Sequence, residues 1–385
     1  MEICQTIKCT GCGACANSCP KKCISMLPSG AIGHIYPVVD NKLCIDCGLC
    51  KKVCPQNHEP ALSGPLKTYA SWSLNREEHE YSSSGGLASY FSRRVLDNGG
   101  IVYGCSSSLE AGKIRHIRCE QIDQLLELRG SKYVQSLIEE CYLLSREDLN
   151  AGKKVLFIGT PCQISGLKAF LGKSYENLMT VDLVCHGVAS QQLMLEHLTE
   201  FKISENTKIT FRNEAGRRLK LVDDKETILE REHGKDLYYL GFMSGLYFRE
   251  SCYQCPYATG KRAGDITIAD FWGIDAKNLP EDKKYGISLL LVNTKKGESF
   301  LSLYSDGLFL EERLFTEACN GNRNLRAPSR KHNNSNRFVD LYSRKGFKRA
   351  SKKCLKKEVC KYKLIHFSEK VPFLGWVLSK ISKRK

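Results

Sequence analysis

One cysteine pattern occurs twice near the start of the chain and restricts what the chain can fold around. Cys9-Thr-Gly-Cys12-Gly-Ala-Cys15-Ala-Asn-Ser-Cys19-Pro20 recurs 35 residues later as Cys44-Ile-Asp-Cys47-Gly-Leu-Cys50-Lys-Lys-Val-Cys54-Pro55. Both copies read C-x2-C-x2-C-x3-C-P. Three closely spaced thiolates can wrap one face of a cubane iron–sulfur cluster, and the fourth, ahead of a proline, reaches the other cluster. The spacing therefore predicts one 4Fe-4S cluster on Cys9, Cys12, Cys15 and Cys54, and a second on Cys44, Cys47, Cys50 and Cys19. Zinc sites show two C-x2-C pairs parted by a longer loop, not four cysteines in so short a run. Gly11, Gly13 and Gly48 suit a backbone that passes close to inorganic sulfide. Cys4 and Cys23 lie outside the pattern and read as packed thiols.

Ten of the 20 cysteines fall before residue 60. No apolar leader opens the sequence and no run reaches ~18 apolar residues, so the expectation is a cytoplasmic protein whose thiols stay reduced and bind metal. Apolar residues make up 42% and charged residues 26% of 385. That is globular usage, which excludes a disordered or multispan membrane chain and leaves mass for two or three domains. Residues 1–56 resemble the bacterial two-cluster ferredoxin, and Pro55, Pro60, Gly64 and Pro65 mark a linker after it.

Beyond the linker the pattern becomes mixed α/β. Strands are expected at 66–73, 101–103, 154–158, 178–184 and 266–269, with helices after Gly86, over 164–171, after a Ser190 cap, and over 237–248. Strands alternating with helices imply parallel β-α-β units, whose sites gather at the carboxyl ends of the strands. Two turns there suit a phosphate: Ser84-Gly85-Gly86 at a helix start, and Gly159-Thr160 after a strand. Cys162 and Cys185 both follow strand ends, and Cys252-Tyr-Gln-Cys255 is a further pair. From spacing, the four form a third metal centre, or Cys162 serves as a nucleophile at its turn.

Five motifs in order, Ser83-Ser-Gly-Gly86, Gly130-Ser131-Lys132-Tyr133-Val-Gln-Ser136, Gly159-Thr-Pro-Cys-Gln163, Asp182-Leu-Val-Cys-His-Gly187 and Asp265-Ile-Thr-Ile-Ala-Asp-Phe-Trp-Gly273, resemble the coenzyme F-420 hydrogenase/dehydrogenase beta-subunit family. The resemblance covers about residues 65–340. It implies an α/β flavin-binding domain with a mainly parallel sheet behind an α+β ferredoxin-like head, and FAD as a cofactor. It places a third 4Fe-4S cluster on Cys162, Cys185, Cys252 and Cys255, and the FAD phosphates on Ser84–Gly86 and Gly130–Tyr133. Lys132 is then a candidate to neutralise a phosphate; His186, Asp265 and Asp270 are candidates for tuning or proton supply. Glu214 stands where the family carries a lysine, so the acceptor is either a deazaflavin-type coenzyme or another organic substrate. Forms with this head and a basic tail resemble proteins encoded beside polysaccharide genes.

The expected division is thus 1–60, a two-cluster ferredoxin domain; 65–340, the flavin and iron–sulfur domain; and 341–385, a short basic helical tail. Residues 321–385 carry a net charge of +17, whereas residues 1–320 sum to −1. An anionic partner belongs to that tail, whose last stretch, with Trp376, suits an anionic membrane face. No recognition helix or stacking set points to nucleic acid. The expected function is an iron–sulfur flavoprotein oxidoreductase exchanging electrons with a partner protein; the competing expectation is a non-catalytic electron carrier or adaptor.

Overall fold

The computed structural model describes residues 1–109, 112–212 and 216–370. In the head, the sequence repeat becomes a structural repeat. The short helices Ala14–Ser18 and Leu49–Lys52 each start behind a left-handed glycine, Gly13 at φ +79° and Gly48 at φ +73°, where a side chain would be strained. The fourth cysteine of each copy precedes proline and is extended, Cys19 at φ −75°, ψ 112° and Cys54 at φ −75°, ψ 114°. An antiparallel hairpin, β1 (Ile24–Ser29) with β2 (His34–Val39), lies between the copies. The head's own buried apolar core is Ile3, Cys15, Cys23, Ile24, Cys50 and Cys54. Four of these six are cysteines, too little hydrocarbon to hold a segment of this size unaided.

The body is built on eight strands: β3 (Lys67–Ser73), β4 (Ile101–Cys105), β5 (His116–Cys119), β6 (Val155–Gly159), β7 (Leu178–Leu183), and, after three short strands described below, Ile266–Asp270, Ser288–Val292 and Leu308–Glu312. The three short strands are β8 (Lys208–Thr210), β9 (Arg218–Asp223) and β10 (Glu226–Glu232), so the last members of the large sheet are β11, β12 and β13. Its order is β13-β3-β12-β11-β7-β6-β4-β5. The ladders β11/β7, β7/β6 and β6/β4 are parallel; the other four are antiparallel. The expected mainly parallel sheet is therefore corrected to a mixed one, with a parallel centre and antiparallel flanks.

Alternation along the central strands explains the parallel centre. Val102, Leu156 and Val181 face one core with Leu87, Phe91 and Val95 of the helix Leu87–Asp97. Ile101, Tyr103, Val155 and Phe157 face the other, with Ile164 and Leu167 of the helix Pro161–Leu171. Strands buried on both faces are what parallel pairing needs. Five strands (β3, β11, β7, β6, β4) run the same way, and the turns singled out in the sequence all follow their carboxyl ends.

A second core joins β8, β9 and the helices Gln191–Leu198, Leu237–Met243 and Ser335–Cys354. Phe338, Tyr342, Phe347, Ala350 and Leu355 are buried in it. Phe347 N–H also donates to Glu196 at 2.8 Å, and Lys348 pairs with Glu200 at 3.0 Å. The boundary expected at 340/341 thus falls inside a packed helix, and what reads as the start of a basic tail is core on one face. Trp376 and the rest of 371–385 lie outside the described residues. No helix among the described residues is long and apolar enough to cross a membrane. Phe347→Ala is expected to cost ~3–5 kcal/mol, read as a lowered urea midpoint; a midpoint equal to that of the unaltered chain would show that this helix rests on the body without supporting it.

Candidate metal centre

Three groups of four cysteines come together, and each combines segments distant in sequence. In site I, Cys15 is pushed well above the ordinary thiol range by burial and by the neighbouring Cys12, Cys9 and Cys54. Cys54 has thus crossed from the second repeat to the first. Cys12 is pushed up to about 12, by burial first and then by Cys162, Cys9 and Cys54. In site II, Cys19, Cys44, Cys47 and Cys50 line one recess of about 330 Å3 with Ile24, Ile45 and Leu49. Cys47 alone of the twelve expected ligands is exposed. In site III, burial and then Cys252, Cys162 and Cys255 push Cys185 far up; Cys252 rises to about 12 and Cys255 to about 11, burial again leading.

Thiols that disfavour one another's ionisation in this way are the donor set that a cationic iron–sulfur core relieves, since a coordinated thiol is deprotonated outright. Among the described residues no three His, Cys, Asp or Glu side chains close on a single-ion position. Sites I and III adjoin: a Cβ on Gly166, in the helix that carries Cys162, would stand 3.0 Å from the Cys12 sulfur. Glycine at 166 is what lets the head sit this close.

Two further thiols join the head sites that the motif does not include. Cys4 shares its S–H with Cys9 and Cys54, and this is the largest cause of their fall to about 6 and about 7. Cys23 has its sulfur 3.4 Å from that of Cys19. The expectation that both are merely packed thiols is amended: each sits against expected ligands. Arg249 is a second residue that spacing does not flag. It is fully buried, donating from Nε to the Cys9 carbonyl (2.6 Å), from Nη1 to Gln135 Oε1 (3.2 Å) and from Nη2 to the Cys9 sulfur (3.4 Å), with its guanidinium 4.1 Å over the Tyr36 ring.

The expected flavin turns are also brought together. Ser131 donates from its backbone N–H to Ser83 Oγ at 3.0 Å, and the two hydroxyls are 3.0 Å apart. Ser84 Oγ donates to the Ile287 carbonyl and the Gly85 N–H to Ser288 Oγ, which pins the turn across β12. Gly86 (φ +78°) opens the helix Leu87–Asp97 with no side-chain cap. Gly130 (φ +80°) lies against Thr210. Tyr133 stacks on Phe242 with centroids 4.7 Å apart. The Lys132 ammonium is spent on the carbonyls of Leu128, Arg129 and Gly130 (2.8, 3.1 and 3.1 Å). Thr160 Oγ1 lies 3.2 Å from the Cys162 sulfur, so this turn, with Gly159, serves site III.

Of the proton-supply candidates, Asp270 ends β11 and pairs with Arg212 beside Trp272, and His186 is exposed after β7. Asp265 precedes β11 at the opposite edge, held by Thr180 Oγ1 (2.6 Å) and Thr294 Oγ1 (2.9 Å). Asn213 and Glu214 lie outside the described residues.

A family model for the C terminus of the coenzyme F420 hydrogenase/dehydrogenase beta subunit matches residues 152–317, which hold all four cysteines of site III. A model for the 4Fe-4S dicluster domain matches residues 8–58, which hold those of sites I and II. The chain belongs to the coenzyme F420 hydrogenase/dehydrogenase beta-subunit family.

Among curated proteins, this family member is 22% identical over 315 residues to the coenzyme F420-dependent sulfite reductase of Methanocaldococcus jannaschii, covering 81% of this chain and 48% of that one. It thus spans about half the length of that relative. An uncharacterized protein from the rpl9-rpl11 intergenic region of Porphyra purpurea is 35% identical over 69 residues, 16% of this chain and 92% of that one. Among solved structures, a chain of the F420-reducing NiFe hydrogenase complex of Methanosarcina barkeri aligns with a TM-score of 0.45 and 16% identity, over 80% of this chain and 96% of that one.

The family motif at 182–187 also has a structural half. Asp182, fully buried on β7, accepts from Thr267 Oγ1 (2.5 Å), from the N–H groups of Ala263 and Gly264 (3.0 Å each) and from Arg262 (3.3 Å), whose side chain is 1% exposed. These bonds hold the segment after Cys255 against β7, the strand that leads to Cys185. Asp182→Ala leaves Arg262 a buried charge without its carboxylate and is expected to cost ~3–5 kcal/mol. Thermal unfolding of the two proteins side by side reads this, and a loss below ~1 kcal/mol would mean that the pair is not what fixes the segment.

Proposed function

We propose that this chain is an iron–sulfur flavoprotein oxidoreductase that exchanges single electrons with a partner protein at the exposed Cys47 end and serves a two-electron organic acceptor at the carboxyl edge of the large sheet. The contiguity of the three cysteine groups carries this reading. Site II opens to solvent at Cys47. Site I shares the two-repeat head with it and meets site III through Cys12 and Gly166. Site III lies beside the carboxyl ends of β6 and β7, next to the joined turns at Ser83–Gly86 and Gly130–Ser131.

In this reading Cys9, Cys12, Cys15 and Cys54, then Cys19, Cys44, Cys47 and Cys50, then Cys162, Cys185, Cys252 and Cys255 hold three 4Fe-4S clusters. Clusters supply one-electron transfer, and FAD, when bound, pairs those electrons into two-electron chemistry. The uncapped helix start behind Gly86 and the Ser131 hydroxyl offer donors to its phosphates, while Lys132 orders the Gly130 turn from behind. Thr160 holds Cys162 in place. Arg212 and Asp270, paired across the mouth beside Trp272, would orient an acceptor; His186, exposed after β7, stands where a proton enters. Coenzyme F420 in the names of the family and its relatives supports a deazaflavin-type acceptor. A link to polysaccharide assembly rests on the resemblance in layout alone, and peripheral contact with an anionic membrane rests on the charge of the last 65 residues.

Anaerobic purification with iron, sulfide and flavin counted per chain tests the proposal. About twelve irons with one FAD is the expected result; about eight irons and no flavin would leave only the head and sink the enzyme reading, whereas about twelve without flavin would favour the electron-carrier one. Cys162→Ser is expected to lose about four irons and keep the other eight.

A further inference from the structure

Burying a guanidinium is expensive unless an anion stands beside it, because the charge gives up its hydration and cannot be discharged by losing a proton. Arg249 is buried at 0% exposure and makes no ion pair with a carboxylate among the described residues. Its neighbours are a carbonyl, an amide oxygen, the Cys9 sulfur and the face of Tyr36. His34, buried beside it with neither ring nitrogen bonded, is driven down to about 3 by burial and by the Arg249 charge, so it adds no negative charge. The groups that feel the cation favourably are thiols: Cys9 of site I, and Cys162 and Cys252 of site III. Arg249 also caps the short helix Glu250–Tyr253 that carries Cys252, and its N–H donates to the Val188 carbonyl at 3.0 Å. One side chain is therefore bolted to the segment bearing a site III ligand and reaches over to a site I ligand.

We propose that Arg249 is a positioning residue that clamps the head to the body and, acting through Cys9, raises the reduction potential of the site I cluster relative to that of site II. This rests on the cluster assignment above. Four thiolates around an oxidised cubane carry about −2, and uptake of one electron makes that about −3. A fixed buried cation stabilises the more negative state more strongly, and solvent screens it little. The lysines nearest site II, such as Lys21 and Lys42, are exposed and are screened.

EPR-monitored redox titration of Arg249→Gln, Arg249→Lys and Tyr36→Glu against the unaltered protein tests this, with the site I signal assigned by its loss in Cys15→Ser. In Arg249→Gln the reduced-to-oxidised ratio of site I at a fixed potential is expected to fall about tenfold, or 59 mV for one electron. Site II should move less than threefold, and Arg249→Lys should stay within threefold of the unaltered protein. Tyr36→Glu leaves Arg249 and its bonds in place but sets a carboxylate against the guanidinium face, so it should lower site I in the same direction even if Arg249→Gln comes out short of iron. Site I unmoved in Tyr36→Glu, or in an iron-replete Arg249→Gln, would overturn the proposal. A missing site I signal in the unaltered protein would instead overturn the cluster assignment.

Discussion

A buried positive charge with no carboxylate partner is a demand for an anion, and Arg249 makes that demand at the place where head and body meet. Its three bonds and its stacking on Tyr36 join β2 and the Cys9 loop to the segment carrying Cys252. Thiolates alone would answer the charge but repel one another, as the upward shifts of Cys12, Cys15 and Cys185 show. Thiolates around an iron–sulfur core satisfy both demands at once. The same logic accounts for the head. Its core is mostly sulfur, so the clusters supply the cohesion that hydrocarbon does not.

The head is inlaid in the body. Asn17 donates to the Glu139 carbonyl at 2.8 Å and Gln135 to the Thr10 carbonyl at 3.2 Å, and Gly13 packs on Ile138. Burial of the helix Ala14–Ser18 against Pro161–Leu171 brings site I to site III without a linker between them. The parallel centre of the sheet then does what such sheets do, collecting the turns after β3, β4, β6, β7 and β11 at one edge. The antiparallel flanks β5, β12 and β13 close the sheet and carry no ligand cysteine.

Much of this was legible in the sequence because its causes are local. Spacing and the proline after Cys19 and Cys54 specify the ligand crossing, and apolar runs with glycine and proline punctuation specify the strands and helices around Cys162 and Cys185. What was not legible depends on distant partners. The helix at 237–248 stops at Met243, since Gly245 turns left-handed (φ +67°). The basic stretch from Arg337 to Lys353 hides a helix whose other face, Phe338, Tyr342 and Phe347, fills the second core; net charge reports composition, not which face a residue takes. Lys132 reads as a phosphate ligand but spends its protons on three carbonyls. Cys4 and Cys23 fall outside the motif and are found only through the sulfurs they touch. Arg249 precedes Cys252 by three positions, and nothing local says that it is buried.

The central claim is serial order: site I stands between site II and site III. EPR of the fully reduced protein tests it most directly. The account predicts a spectrum broadened by magnetic coupling among neighbouring clusters, which simplifies when site III is removed and loses its coupling entirely when site I is removed. A spectrum that is the plain sum of three independent clusters, unchanged in shape by either removal, would contradict it.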